Sequence, residues 1–202
     1  MNEMERIPHI ETPRLVLTIP TPDDAHRLLR YALENREHLA LWEPLRTDEY
    51  FTIEYWLDAL SSYIKDFKAG HSLRLVLLDR ADVAGPITGQ CSFSQITRGP
   101  FQAAYLGYSL NHRAVGKGLM HEALTAAIGY AFEELNLHRL MANYVPANGR
   151  SGKLLRRLRF SVEGHARDYL RLAGSWQDHI LTSLINKSWN DPLTPPMSPG
   201  ME

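Results

Sequence analysis

The chain has 202 residues, 44% hydrophobic and 22% charged, with a net charge of −1; that is long enough for one domain with a sizeable core, and no global field draws it onto nucleic acid or an anionic membrane. A single cysteine, Cys91, excludes an internal disulfide and a cysteine-cluster metal site. The opening MNEMERIPHIETPR lacks the apolar core of a signal peptide, and no apolar run approaches the ~20 residues of a membrane helix, so a cytoplasmic protein is expected.

Residues 14–19 (RLVLTI) predict a short strand. Thr21-Pro22-Asp23-Asp24 predicts a helix start, with a Thr cap, Pro at the first position and acids in the first turn. Ala25, Leu28, Leu29 and Ala32 then share one face, and LWEP, residues 41–44, breaks the pattern. A second helix fits residues 53–67, with Gly70 just past its end. Residues 72–78 (SLRLVLL) and 87–96 (ITGQCSFSQI) predict strands joined as a hairpin across the turn-rich 79–86, and 103–110 (AAYLGYSL) predicts a third central strand. Leu119, Met120, Ala123, Leu124, Ala127, Ile128, Ala131, Phe132 and Leu135 repeat at helical spacing and form a broad apolar face. A buried strand over 138–144 (HRLMANY), a short helix over 151–158 and a strand pair over 161–172 and 176–185, turning at Gly174, complete the domain. From Lys187 the chain is Pro-rich and polar, so residues 1–186 read as the domain and 187–202 as a disordered tail. Strands outnumber helices, and hairpins mix with two strand–helix–strand crossovers, which argues an α+β domain around one sheet.

The segment before the long helix, RAVGKG at residues 113–118, is not there for helix stability, because glycine costs about 1 kcal/mol against alanine inside a helix. Glycine instead lets backbone N–H groups approach something bulky. A helix N-terminus carries unpaired N–H donors and roughly half a positive charge. Strand, glycine turn and helix start therefore make a diphosphate cradle, with Arg113 and Lys117 as cationic donors at its rim. A plain strand-to-helix turn is the alternative. Neither the P-loop nor the dinucleotide fingerprint is present, and His121-Glu122 has Thr125 where a zinc-protease helix needs its second histidine.

Arg113, Gly116 and Gly118 spell R-x-x-G-x-G between a central strand and a long helix, and Asn148-Gly149-Arg150-Ser151 opens a short helix after the strand ending at Tyr144. In these features the chain resembles the GNAT acetyltransferases, whose acetyl-coenzyme A motif this is. LWEP, RGPFQAAYLGYSL, GKGLMHEALTAAIGYAF, HRLMANYVPANGRSGKLLRRLRF, EGHARDYL and SWQDHILTSL together look like the RimJ-type N-acetyltransferases, which modify the N-terminal alanine of the fifth small-subunit ribosomal protein. The similarity runs through residues 10–186. It implies the GNAT fold, a central mixed, mostly antiparallel sheet of about six to seven strands flanked by about four helices. It also implies acetyl-CoA as cosubstrate, no metal, and an acceptor that is a protein N-terminus, ribosomal by preference. Contact with the ribosome or its precursor would follow, with no membrane or DNA partner. The reaction would be direct attack in a ternary complex.

By the same resemblance, backbone groups at Tyr108, Ser109 and Leu110 would line the pantetheine arm, with an N–H near Leu110 as the oxyanion donor. Arg113, Val115, Gly116, Lys117, Gly118, Leu119 and Met120 would hold the diphosphate, and Asn143 and Asn148 would hydrogen-bond the cofactor or incoming peptide. Ser151 is the candidate for protonating the departing thiolate, the role proposed for a serine at this position in RimL relatives; it is also a preferred N-cap, and the two roles are compatible. Many GNAT enzymes use a tyrosine later in this helix, but KLLRRLRF has none, which favours Ser151.

The base is open. Freeing an α-amine of pKa about 8 at pH 7 costs about 1.4 kcal/mol, against about 4.6 kcal/mol for a lysine, so an N-terminal acceptor tolerates a weak or water-mediated base. Glu43 and Asp168 are candidates, each equally readable as a solvated or salt-bridged acid. The glutamate that RimL relatives use nearby falls at Leu170 here. Trp42, Tyr105, Tyr169 and Trp176 would shape a peptide groove or simply pack. Cys91 lies in an apolar strand with no His or acid close in sequence, so it is a poor nucleophile. Arg150, Lys153, Arg156, Arg157 and Arg159 form a solvated face, or meet the adenosine 3′-phosphate or ribosomal RNA; Arg159 stands where the family favours glycine, which puts that helix end in question. Two rivals remain: a GNAT enzyme for another amine (a polyamine, an antibiotic, a lysine), marked by an acid-lined cleft in the polycation case, and a non-catalytic ribosome-assembly factor.

Overall fold

The computed structural model describes residues 7–191. Its strands are β1 (His9–Glu11), β2 (Leu15–Thr18), β3 (Leu73–Asp79), β4 (Gly89–Thr97), β5 (Ala103–Leu110), β6 (Arg139–Met141), β7 (Ser161–Leu172) and β8 (Ser175–Ile185), and its helices α1 (Ala25–Glu34), α2 (Arg36–Leu39), α3 (Ile53–Lys68), α4 (Leu119–Glu133) and α5 (Gly149–Arg157). The strands form one sheet in the order β1-β2-β3-β4-β5-β6-β8-β7. Every neighbouring pair is antiparallel except β5 and β6. The mixed, mostly antiparallel α+β architecture is as expected. Among the described residues the counts are eight strands and five helices, where the sequence predicts about six to seven and about four; β1 offers three residues with one apolar position and α2 is a single turn of REHL. Among the described residues no helix is long and apolar enough to cross a membrane.

Alternation along the strands sets two cores. Leu15, Leu17, Leu75, Leu77, Cys91 and Phe93 face α4 and α5, whereas Val16, Val76 and Leu78 face α1 and α3. On α4, Ala123, Ala127 and Ala131 are wholly buried and let the helix sit close on the sheet, with Leu124 and Ile128 filling the space beside them. On the other face, Leu28 of α1 and Trp56 and Leu60 of α3 cover the second core.

The parallel ladder is short. It pairs Ala103 with Arg139, Ala104 with Leu140 and Tyr105 with Met141, and there it stops. The strand expected over 138–144 ends early because the chain then follows β8: the Ala142 N–H donates to the Thr182 carbonyl, and Tyr144 bridges Ile180. Residues 106–110 remain bonded to β4 on one side and have no strand on the other. The sheet is thus split from Leu106 onward.

The residues expected to be a tail divide. Trp189 is anchored, its indole N–H donating to the Asn136 carbonyl at 3.0 Å and its ring meeting His138 edge-on. Residues 192–202 lie outside the described residues.

One side chain and one backbone turn fix the helices that border the split. Glu122, in the first turn of α4, accepts from the Thr12 hydroxyl (2.7 Å), the Arg14 backbone N–H (2.8 Å) and Arg14 Nε (2.7 Å). Arg14 Nη1 also donates to the Lys117 carbonyl at 3.0 Å, so the β1–β2 turn braces the segment that enters α4. At the end of α5, Arg159 takes up the left-handed conformation (φ +69°) that glycine favours. The Arg159 N–H donates to the Arg156 carbonyl and the Phe160 N–H to the Leu155 carbonyl, a Schellman ending closed by the buried Leu155 and Phe160. The missing family glycine therefore leaves the helix end intact, at the expense of one strained residue.

Two outcomes are expected. Arg159→Gly relieves the left-handed strain and raises stability by about 1 kcal/mol in urea denaturation. Burial pushes the Glu122 carboxyl up, but Thr12 and the Arg14 amide and guanidinium outweigh it and hold the group below its ordinary value. Its contribution is therefore present above the unfolded pKa of about 4.3 and is lost as pH falls through the lowered native value. Glu122→Gln should cost about 1–2 kcal/mol at pH 7, and the difference from wild type should close in denaturation curves taken at progressively lower pH.

Candidate active site

Where β5 and β6 part, a cavity of about 410 Å3 opens. Leu106, Gly107, Tyr108 and Ser109 of β5 form one wall, and Asn143, Tyr144 and Val145 after β6 form the other. Asn148 and Ser151 at the start of α5 lie at one end; Trp42, Glu43, Arg46 and the aromatic residues Tyr50, Tyr55, Trp56 and Tyr63 lie toward α3.

Eight of the residues singled out in the sequence meet here: Trp42, Glu43, Cys91, Tyr108, Ser109, Asn143, Asn148 and Ser151. Ser151 and Tyr108 share a hydrogen bond of 2.7 Å. Burial pushes the Tyr108 phenol up to about 12 despite the Ser151 hydroxyl, so the pair stays protonated at neutral pH. The cap of α5 is Asn148, whose Oδ1 accepts the Ser151 N–H at 3.1 Å. Ser151 is thus relieved of capping, and its hydroxyl is turned to Tyr108 and the cavity. Gly152 is required behind it, because a Cβ there would lie 2.8 Å from the Tyr144 ring.

Asn143 is committed at both ends, donating from Nδ2 to the Tyr169 hydroxyl (3.1 Å) and accepting the Thr182 N–H on Oδ1 (3.1 Å); it cross-ties the split side of the sheet. The Ser109 hydroxyl is bonded to Tyr31 of α1 at 3.0 Å. Glu43 accepts from Arg46 Nε (3.2 Å) and Nη2 (3.0 Å), and Arg46 stacks on the Tyr50 ring at 4.3 Å. The Glu43 carbonyl accepts the Ala173 N–H at 3.0 Å, and Leu45 packs so closely on Gly174 that a Cβ there would lie 3.0 Å away. The 41–46 loop is therefore fastened to the β7–β8 turn and bridges this end of the cavity.

Other expected residues sit elsewhere. Asp168 is exposed in a bulge of β7 with φ +46°, its N–H donating to Asp178, and it does not line the cavity. Leu110 packs against the core below α4, and Trp176 is 61% exposed. Tyr169 meets the cavity wall through Asn143. Arg113 to Met120 lie past the end of β5, where a 3-10 turn over His112–Ala114 leads through Val115 into α4. Gly116 and Gly118 have φ of +83° and +76°; a Cβ on Gly116 would meet nothing within 4 Å, and one on Gly118 only Arg14 Nη2 at 3.7 Å. Their left-handed backbone calls for glycine, and the packing around them leaves the space before them open. Together with the unpaired first-turn N–H groups of α4, they leave an open, donor-lined cradle that fits a diphosphate.

Arg150, Lys153, Arg156 and Arg157 are exposed along α5. Cys91 borders the cavity, but burial pushes its thiol up to about 12, so it holds no thiolate at neutral pH. Among the described residues no cluster of His, Cys, Asp or Glu could hold a metal.

Sequence reasoning missed Arg46, Trp56 and His179. Trp56 is 2% exposed, borders the cavity and has an indole N–H with no partner among the described residues. His179 is 2% exposed, and its Nδ1 lies 2.9 Å from the Gln177 carbonyl. The spacing of Trp56, Leu60 and Phe67 betrays a buried face; nothing local betrays that its edge reaches a cavity made by residues from 20 to 179.

The Acetyltransferase (GNAT) domain family matches residues 14–161. The chain is 44% identical over 180 residues to the ribosomal protein uS5-alanine N-acetyltransferase of Escherichia coli K12, covering 89% of this chain and 92% of that protein. The crystal structure of ribosomal-protein-S5-alanine acetyltransferase from Vibrio fischeri superposes with a TM-score of 0.86 at 39% identity, covering 91% of this chain and all of that one. Mycobacterium smegmatis RimJ, solved in complex with CoA-disulfide, does so with a TM-score of 0.80 at 26% identity, covering 89% of this chain and 86% of that one. A split sheet, an open glycine cradle at a helix start and a serine–tyrosine pair between them are what a thioester cosubstrate would need, and with the family match over most of its length the chain belongs to the GNAT acetyltransferases, enzymes that use acetyl-CoA.

Proposed function

We propose that this enzyme moves the acetyl group of acetyl-CoA to the N-terminal α-amine of a protein that begins with alanine, a small-subunit ribosomal protein of the uS5 kind. The observation that carries the acceptor is the 44% identity to the uS5-alanine enzyme across 92% of its length. The cavity supports it. Glu43 is its one acidic lining residue and is paired with Arg46, with Arg74 a second cation in the lining, so it is no acid-lined cleft for a polycation. The bridge from Glu43 to Ala173 narrows the approach, which suits a chain end better than a side chain rising from a folded surface. An acceptor on the ribosome would place the reaction, and a contact with the ribosome or its precursor, in the cytoplasm.

Gly116, Gly118 and the first-turn amides of α4 hold the diphosphate, which sets the pantetheine arm along the unpaired side of residues 106–110. The amine, once deprotonated, attacks the thioester carbonyl carbon; the C–N bond forms, and the C–S bond breaks. Backbone N–H groups at the end of β5 stabilise the oxyanion. The departing sulfur takes a proton from the Ser151 hydroxyl, which Tyr108 orients, and the second proton of the attacking nitrogen, released as the amide forms, passes through water to restore the Ser151–Tyr108 pair. Asp168, off the cavity, has no part in this scheme.

Incubation with acetyl-CoA and peptides beginning with Ala, Ser or Met, each carrying an internal lysine, should give a mass increase mapped to the α-amine of the Ala peptide. Acetylation at lysine alone overturns the reading. Ser151→Ala should lower kcat about 100-fold, with the KM for acetyl-CoA within about threefold, because the hydroxyl acts on the leaving group and not on the diphosphate.

A further inference from the structure

We infer that His179, through Nε2, takes the proton that the acceptor amine must lose before it attacks, directly or across one water. The inference rests on the α-amine reading above. It starts from the cavity wall: His179 of β8 borders the cavity together with Glu43, Tyr144 and Leu172 while being 2% exposed. A carbonyl oxygen only accepts, so the 2.9 Å contact to Gln177 puts the hydrogen of the neutral ring on Nδ1 and the lone pair on Nε2. One further contact holds the ring. Tyr169 lies 5.3 Å away, centroid to centroid, and is itself fixed by Asn143. Among the described residues the hydrogen bond of this side chain accounts for Nδ1 alone.

The alternatives along the same cavity are weaker. The Glu43 carboxylate is already engaged twice by Arg46. A carboxylate of ordinary pKa about 4.3 also holds a proton roughly a hundredfold less well than an imidazole of about 6.5. As a class, imidazoles of ordinary pKa lie about 1.5 pH units below α-amines, a factor of about thirty, which an acyl-transfer step can absorb; against a lysine the gap is about four units. A histidine base and an N-terminal acceptor are thus matched. The titratable and charged groups that share the cavity with it or touch it are Tyr169 of β7, Tyr144 after β6, Tyr108 of β5, Cys91 of β4, Arg74 of β3, Tyr50, Tyr55 and Tyr63 at and before α3, and the Glu43–Arg46 pair. The Asp178–His165 pair flanks it along the hairpin.

The test is the pH dependence of kcat/KM for an Ala-starting peptide with saturating acetyl-CoA, for wild type, His179→Asn and Glu43→Gln. Asparagine keeps a donor for the Gln177 carbonyl but has no base. His179→Asn should be slower by about 100-fold at pH 7 and by less than about fivefold at pH 9.5, where the amine ionises unaided, with the KM for acetyl-CoA unchanged. An equal deficit at both pH values, or no deficit, overturns the proposal, as does a deficit that closes with pH in Glu43→Gln and not in His179→Asn. A 15N spectrum of the wild-type imidazole supplies a check that needs no variant: the Nδ1–H tautomer is expected, and the Nε2–H tautomer overturns it. Acetylation that maps to lysine would defeat the acceptor reading and is visible separately in the product masses.

Discussion

The parting of β5 and β6 after the Tyr105–Met141 pair is the constraint on which the rest depends. A parallel ladder that ran on would bury the backbone of residues 106–110 in the sheet and leave no cavity. The chain after Met141 instead takes its hydrogen bonds from β8, through Ala142 and Tyr144, so β5 keeps one edge without a strand partner from Leu106 onward, with Gly107 exposed and Tyr108 to Leu110 half-buried. An unpaired strand edge offers its N–H and C=O groups to an extended partner. In the scheme we propose, a cosubstrate with amide groups along a flexible arm takes that place.

Two local devices aim the chemistry at that edge. The first is the brace from Thr12 and Arg14 to Glu122 and Lys117, which holds the glycine cradle at the far end of β5. The second is the division of labour at α5, where Asn148 caps the helix and frees Ser151 to meet Tyr108. Because burial keeps the Tyr108 phenol protonated, the pair is in our proposal the donor to the thiolate and not the base toward the amine. In that proposal proton removal falls to the other wall, where His179 has its Nδ1 occupied by the Gln177 carbonyl.

Much of this was legible in the sequence because it is local. The R-x-x-G-x-G turn, the helix behind it and the asparagine-led start of α5 each lie within a few residues, and their order along the chain placed them at strand ends. What stayed hidden is what distant segments make together. Glu43 reads as a loose acid until Arg46 and Ala173 are seen to hold it. Asp168 reads as an equal candidate, yet a bulge between Ala166 and Leu170 leaves it exposed, with only its backbone N–H engaged, by Asp178. His179 sits in an unremarkable strand pattern, and only the fold seals it against the cavity. Arg159 shows the opposite error: the lack of glycine cast doubt on a helix end that the Schellman bonds secure.

Hydrogen–deuterium exchange, with and without acetyl-CoA, tests the central claim most directly. If the cosubstrate lies against the free edge of β5 and the start of α4, then peptides covering residues 106–110 and 116–121 should both become protected on binding, while β2 and β3 stay unchanged. Binding that leaves either segment exchanging as before would contradict the account.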